Sequence, residues 1–162
     1  MRILFLDIDQ VLTGRRWAER RFLETGGGHG PDDLDPVCCR LLGQSLKATG
    51  AVIVVTSTWR LNRSLGHIER VLEDHGATHV NIVGAIGAQR CQSDGGRAKG
   101  IVEWRTMVAA ALESYAVVDD EPDAIDGSDP ARMVRTTHEH GLTQSCASHL
   151  VKILRTPIAK AK

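Results

Sequence analysis

Four aspartates stand in two short groups, Asp7-Ile8-Asp9 early in the chain and Asp119-Asp120 late in it. Between them lie a hydroxyl-rich stretch, Thr56-Ser57-Thr58-Trp59-Arg60, and a lysine, Lys99. Brought together, four carboxylates repel one another strongly unless something positive sits among them. A hard divalent cation with oxygen ligands answers that need, and Mg²⁺ fits best. The hydroxyls of Thr56 and Ser57, with nearby backbone N–H groups, suit a phosphate, and Lys99 would offset phosphoryl charge. An aspartate is a competent nucleophile toward phosphorus. A second acid on the same strand end can protonate the leaving group and then activate water. The cation and Lys99 would stabilise charge developing on the phosphoryl oxygens. The chemistry expected of this set is phosphoryl transfer.

For these residues to meet, the chain must carry them on adjacent elements. Arg2 to Asp7 is a compact apolar run ending in acid, a buried strand. Ala51 to Val55 is continuous and β-branched, which predicts a strand covered on both faces, as in a parallel sheet. Tyr115 to Val118 is a third strong strand, again running into acid; shorter strands are expected near Val80 to Val83 and from Arg132 to Thr136. Pro36 suits a first helical turn, and Cys38, Leu41 and Leu42 give an apolar face that stops at Gly50. Leu65, Ile68 and Leu72, then Ile101, Trp104, Val108 and Leu112, then Ala147, Leu150, Val151 and Leu154 mark three more amphipathic helices. Residues 13–35 read as an irregular, Gly-rich flap, 84–98 as a loop, and 156–162 as a frayed tail behind a single domain of residues 1–155. Strands alternating with helices imply an α/β fold with a parallel sheet, whose functional residues gather beyond the carboxyl ends of the strands. Asp7-Ile8-Asp9, Thr56 to Arg60 and Asp119-Asp120 each stand at such an end.

Composition bounds the function classes. Lys plus Arg and Asp plus Glu both total 20, a formal net charge of zero, which excludes a bulk polycation that coats nucleic acid but leaves room for a local basic patch. Hydrophobic residues at 42% and charged residues at 25% are ordinary for a globular chain, so wholesale disorder is excluded. No apolar run reaches the roughly 20 residues that span a bilayer, and the start turns acidic too soon for a signal peptide. The chain reads as soluble and cytoplasmic. Cys38 and Cys39 are adjacent while Cys91 and Cys146 stand alone, so free thiols are expected rather than a zinc site or disulfides.

The order of these groups, DxD, then a hydroxyl after the second strand, then a lysine, then DD, resembles the haloacid dehalogenase (HAD) superfamily of phosphatases. The stretches FLDIDQVL, VIVVTSTWR, GGRAKGIVEWR, YAVVDDEPD and HEHGLT resemble in particular the HAD domain associated with Swiss Army Knife RNA repair proteins, from about Arg2 to Leu154. The resemblance implies a Rossmann-like three-layer α/β/α fold with five parallel strands, capless or with a small flap. It implies Asp7 as nucleophile and Asp9 as general acid/base, with Asp9 also binding Mg²⁺ through its backbone carbonyl. Thr56 would hold phosphate, with Ser57 the close alternative. Lys99 would be the conserved-motif cation of the superfamily, with Arg97 its rival in the same loop. Asp120 would ligate the metal directly, and Asp119 would either touch it or sit behind it. One position departs: the residue after the second Asp is commonly Gly in this superfamily, which permits a tight turn at low cost, and here is Gln10, which asks for a more ordinary backbone there.

Plainer readings stand beside these. Thr56 and Ser57 can simply cap the next helix. Arg60 either binds phosphate or pairs with a carboxylate that pre-orders the site. Trp59 and Trp104 read as core or rim packing. Arg15, Arg16, Arg20 and Arg21 are either a solvated face or a basic flap that tracks a phosphate backbone, with Trp17 to stack. The expected activity is a Mg²⁺-dependent phosphomonoester hydrolase working through an aspartyl-phosphate, on a nucleotide or nucleic-acid end. The alternative is a non-catalytic phosphate-binding or regulatory module on the same fold. A receiver domain would need its phospho-accepting Asp after the third strand, and none follows Val83 there.

Overall fold

The structure is a computed structural model that describes residues 1–28, 30–87, 96–124 and 129–159. Its strands are β1 (Arg2–Leu6), β2 (Val52–Val55), β3 (Ile82–Ala85), β4 (Ser114–Asp119) and β5 (Met133–Arg135). Its helices are α1 (Arg15–Thr25), α2 (Pro36–Thr49), α3 (Leu65–Asp74), α4 (Gly96–Met107) and α5 (Gln144–Arg155). The strands form one all-parallel sheet in the order β3-β2-β1-β4-β5. Alternation along each strand divides the core. Leu4, Leu6, Ile53, Val55, Ala116 and Val118 pack with α2, α3 and α5 on one face. Ile3, Phe5, Val54, Tyr115 and Val117 meet Ile101 of α4 on the other. This is the expected three-layer α/β/α arrangement, and near-continuous apolar strands are what burial on both faces requires.

The register places the chemistry. Leu6 pairs with Val55 on one side and Val118 on the other, and Val118 pairs with Val134. The next residues therefore leave the sheet level with one another. The ladder continues through them: Asp7 N–H donates to the Val118 carbonyl, Thr56 N–H to Leu6, and Thr136 N–H to Asp119.

Several boundaries differ from the sequence expectation. β3 lies at 82–85 rather than 80–83, because Val80 and Asn81 form the entry to the strand. Helix α4 starts within the expected loop, at Gly96, and ends at Met107, so Val108 and Leu112 reach the core from the turns after it. Residues 88–95 of that loop, with Cys91, and residues 160–162 lie outside the described residues. The tail does not fray at once: Ile158 N–H donates to the Glu113 carbonyl, Arg132 donates to the carbonyls of Thr156 and Pro157, and Ile158 packs on the core. Cys38, Cys39 and Cys146 are free thiols. Among the described residues no helix is long and apolar enough to cross a membrane.

The segment read as an irregular flap contains an 11-residue helix, α1. Only Trp17 of α1 is buried, while Phe22 is 56% and Leu23 81% exposed. The helix is held at its N-terminal end. A Cβ at Gly14 would come within 2.7 Å of the His140 backbone, so glycine permits the close approach. The N–H groups of Arg15 and Arg16 donate to the carbonyls of His138 and Glu139. Their guanidinium groups grip the Glu139 carboxylate, Nε to oxygen 2.8 Å from each. These hydrogen bonds hold the Glu139 carboxyl down at about 2. A carboxyl depressed in the folded state stabilises it fully above its unfolded value and loses that contribution as pH falls through the folded one. Amide exchange in α1 is therefore expected to lose protection as pH falls from about 4.5 toward about 2. Glu139→Gln should show the low protection already at neutral pH, and hydrogen-exchange mass spectrometry reads both.

Candidate functional site

At the carboxyl edge of the sheet, Asp7, Asp119 and Asp120 each turn a carboxylate oxygen to within 4.8 Å of the others. Asp7 and Asp119 are buried, at 2% and 0% exposure, and Asp120 is half-buried. Burial pushes the Asp7 carboxyl well above the usual carboxylate range, and the charge of Asp119 pushes it further. Asp119 is raised as well, chiefly by burial, although Arg97 opposes the shift.

The cation among these acids is Arg97, not Lys99. Its Nη1 lies 2.8 Å from both oxygens of Asp119, 3.7 Å from Asp7 Oδ2 and 3.5 Å from Glu121 Oε2. Lys99 sits on the exposed side of α4. The two residues share the first turns of α4, and at about 100° per residue they point to opposite sides of the helix. Of the two alternatives in that loop, Arg97 is the one placed against the carboxylates.

Thr56 and Ser57 are both fully buried, and their surroundings separate them. Ser57 Oγ accepts from Trp59 N–H at 3.4 Å and caps the short 3₁₀ turn Thr58–Leu61. Thr56 Oγ1 has no hydrogen-bond partner. A buried hydroxyl left unpaired is costly, and a ligand oxygen would satisfy it. Of the two hydroxyls, Thr56 is the one with capacity to spare.

Arg60 turns its guanidinium to the backbone carbonyls at two strand ends. It donates to the carbonyls of Thr56 and Ser57 at the end of β2, and to Ile86 (2.9 Å) and Gly87 after β3. Five fixed donors suit this work: Arg60 ties two strand ends together and so sets the height of Thr56.

Asp9 is exposed and stands apart from the three clustered carboxylates. Its Oδ1 accepts from the indole Nε1–H of Trp59 at 3.1 Å. Trp59 is 5% exposed and packs in the core as expected, but its hydrogen bond to Asp9 was not legible from the sequence. Gln10 also departs from expectation. It takes a left-handed backbone, φ 59°, the conformation that Gly would have supplied. That strain persists because the backbone N–H, the carbonyl and the side-chain oxygen of the residue are all held. Its N–H donates to Thr13 Oγ1 at 2.9 Å, its carbonyl accepts from Thr136 Oγ1 at 3.3 Å, and its side-chain oxygen meets His138 Nδ1.

A separate cavity of about 800 Å³ opens under α1, between Trp17, Val37, Leu41 and Leu142. None of the strand-end aspartates lines it, so the carboxylates rather than this hollow mark the candidate site.

The donor set is all oxygen and anionic, which suits a hard divalent ion. With Arg97 beside it and an unpaired hydroxyl across the edge, it can hold a cation and a phosphoryl group together.

Comparison with curated proteins and with solved structures returns no match. The family model described as the HAD domain in Swiss Army Knife RNA repair proteins matches residues 3–147, which takes in Asp7, Asp9, Thr56, Arg97, Asp119 and Asp120. A five-stranded parallel sheet with an aspartate cluster at its carboxyl edge, read with that match, assigns the chain to the family of HAD domains in Swiss Army Knife RNA repair proteins.

Proposed function

We propose that this chain is a Mg²⁺-dependent phosphomonoester hydrolase with Asp7 as nucleophile. The observation that carries the reading is the meeting, at one sheet edge, of three clustered carboxylates, the Arg97 guanidinium and the unpartnered hydroxyl of Thr56. Asp7 and Asp120, with Asp119 beside them, would hold Mg²⁺, as would the backbone carbonyl of Asp9. The ion would draw the Asp7 carboxyl back into its ionised, nucleophilic form and neutralise phosphoryl charge.

The chain's own groups divide the rest. Thr56 Oγ1 donates to a phosphoryl oxygen, and Arg97 offsets charge on the same group. A carboxylate oxygen of Asp7 attacks phosphorus while the bond to the leaving oxygen breaks, and Asp9 protonates that oxygen. Water then attacks the phosphorus of the aspartyl-phosphate, Asp9 takes its proton, and Asp7 leaves with the bonding electrons.

Substrate size follows from exposure. Asp9, on the leaving-group side, faces solvent, and the insertion between β1 and α2 carries only the 11-residue α1. An open leaving-group side favours a phosphate at the end of a large molecule, and the family's association with RNA repair points to a nucleic-acid end. Arg15 and Arg16 are engaged with Glu139, so any contact of α1 with a phosphate backbone falls to the exposed Arg20 and Arg21.

Purified protein should release phosphate from an aryl phosphate with Mg²⁺ and stop with EDTA, and oligonucleotide phosphates should outrun mononucleotides. Asp7→Asn should lower turnover by at least about 1,000-fold. The same change removes one of two repelling buried charges, so the metal-free variant should melt roughly 2–8 °C higher by circular dichroism. Phosphate binding without turnover in the wild type would defeat the hydrolase reading.

Arg97 and Lys99 give a second contrast. Arg97→Lys keeps the charge and loses the two-oxygen grip on Asp119, and should cut kcat/KM by roughly 10- to 100-fold. Lys99→Ala should stay within about 3-fold of wild type. Equal losses in the two variants would return the role to Lys99.

A further inference from the structure

Asp9 is exposed, and an exposed carboxylate ordinarily rotates among many positions. Here its one side-chain hydrogen bond among the described residues comes from Trp59 Nε1, at 3.1 Å. Trp59 is itself immobilised. The guanidinium of Arg63 lies 4.0 Å from the centroid of its ring. Arg63 is held in turn, Nε to Asp32 Oδ1 at 2.8 Å and Nη2 to the Pro31 carbonyl at 3.0 Å. His67 closes the arrangement on the other oxygen of Asp32 at 3.0 Å. On the backbone side, Trp59 donates its N–H to Ser57 Oγ, and its carbonyl accepts from Asn62 and Arg63. A rigid indole therefore presents a single N–H to a carboxyl that no other side chain among the described residues holds.

We propose that Trp59 is the positioning residue for Asp9: its indole N–H holds Oδ1, keeps the carboxyl away from the three clustered carboxylates, and reserves Oδ2 for the proton that is transferred. This rests on the phosphohydrolase reading and adds a residue to it. Indole N–H donates only. It can bond Oδ1 whether Asp9 is ionised or carries its proton, but in the second case the proton must sit on Oδ2. When the Asp7 oxygen bonds to phosphorus, the electron pair of the breaking P–O bond goes to the leaving oxygen, and the Oδ2 proton goes with it. When water bonds to phosphorus and the Asp7–P bond breaks, a water proton returns to Oδ2. Both transfers use one oxygen in one position, and the Arg63–Asp32 pair connects that position to the loop before α2.

The leaving-group series tests it, read as kcat/KM, which reports the transfer to Asp7. Trp59→Phe should lower kcat/KM by roughly 10- to 100-fold for phenyl phosphate, whose leaving oxygen needs a proton. It should lower it by less than about 3-fold for dinitrophenyl phosphate, whose leaving oxygen does not. In an Asp9→Asn background the same substitution should add almost nothing. Should Trp59→Phe melt below the assay temperature, benzothienylalanine at position 59 keeps the ring shape, removes the N–H and gives the same two readings. Equal losses across the leaving groups, or an undiminished loss in the Asp9→Asn background, would overturn the positioning role and leave the hydrolase intact. A wild type that hydrolyses neither ester, with Mg²⁺ present, would overturn both.

Discussion

Two carboxylates, Asp7 and Asp119, are buried side by side at the end of a parallel sheet, and their repulsion is the constraint the rest of the edge answers to. Neither can move away. The backbone of Asp7 is hydrogen-bonded to Val118, and Asp119 is the last residue of β4, so the ladder that makes the core also forces the charges together. Among the described residues Arg97 is the counter-charge that meets them, and its grip falls on Asp119 at 2.8 Å rather than on Asp7 at 3.7 Å. One arginine does not neutralise three acids. The deficit leaves Asp7 reluctant to ionise, which is a cost to stability and an opening for a cation.

The sheet and its edge were legible because β1, β2 and β4 are apolar runs that lead into polar residues, and parallel pairing brings such ends level. Asp7, Thr56 and Asp119 needed only that rule. What escaped were features set by three-dimensional phase. Whether position 97 or 99 faces the acids depends on where α4 begins, and it begins within a glycine-rich stretch whose sequence marks no helix start. Helix α1 buries a single side chain, Trp17, and so carries no apolar period; its anchor is Glu139, far along the chain. Gln10 adopts the left-handed backbone that glycine ordinarily supplies, held by Thr13, Thr136 and His138, and two of these partners come from a distant segment. Arg60 reads as a ligand for phosphate or a partner for a carboxylate, and it donates as well to the bare carbonyls where β2 and β3 end, and backbone carbonyls leave no mark in a sequence.

Polar groups at this edge therefore fall into two kinds. Ser57, Arg60 and Gln10 spend their hydrogen bonds on the protein and fix the loops. Thr56 Oγ1 spends none. Buried polar atoms are almost always paired, so at this edge the unpaired Thr56 hydroxyl is the group with capacity for a ligand oxygen.

The same reasoning separates the two acids of the first strand end. Asp7 and Asp9 are alike in type and nearly adjacent, yet one is buried against other acids and an arginine, and the other is exposed and held by an indole. In the proposed reaction the carboxyl among charges coordinates and attacks. A carboxyl that meets solvent on one side and a donor-only partner on the other is suited to carrying a proton back and forth. In that proposal the division follows from Trp59. Its N–H is the side-chain hydrogen bond that, among the described residues, holds the Asp9 carboxyl outside the cluster of Asp7, Asp119 and Asp120, and so gives the two acids the different surroundings that their proposed parts require.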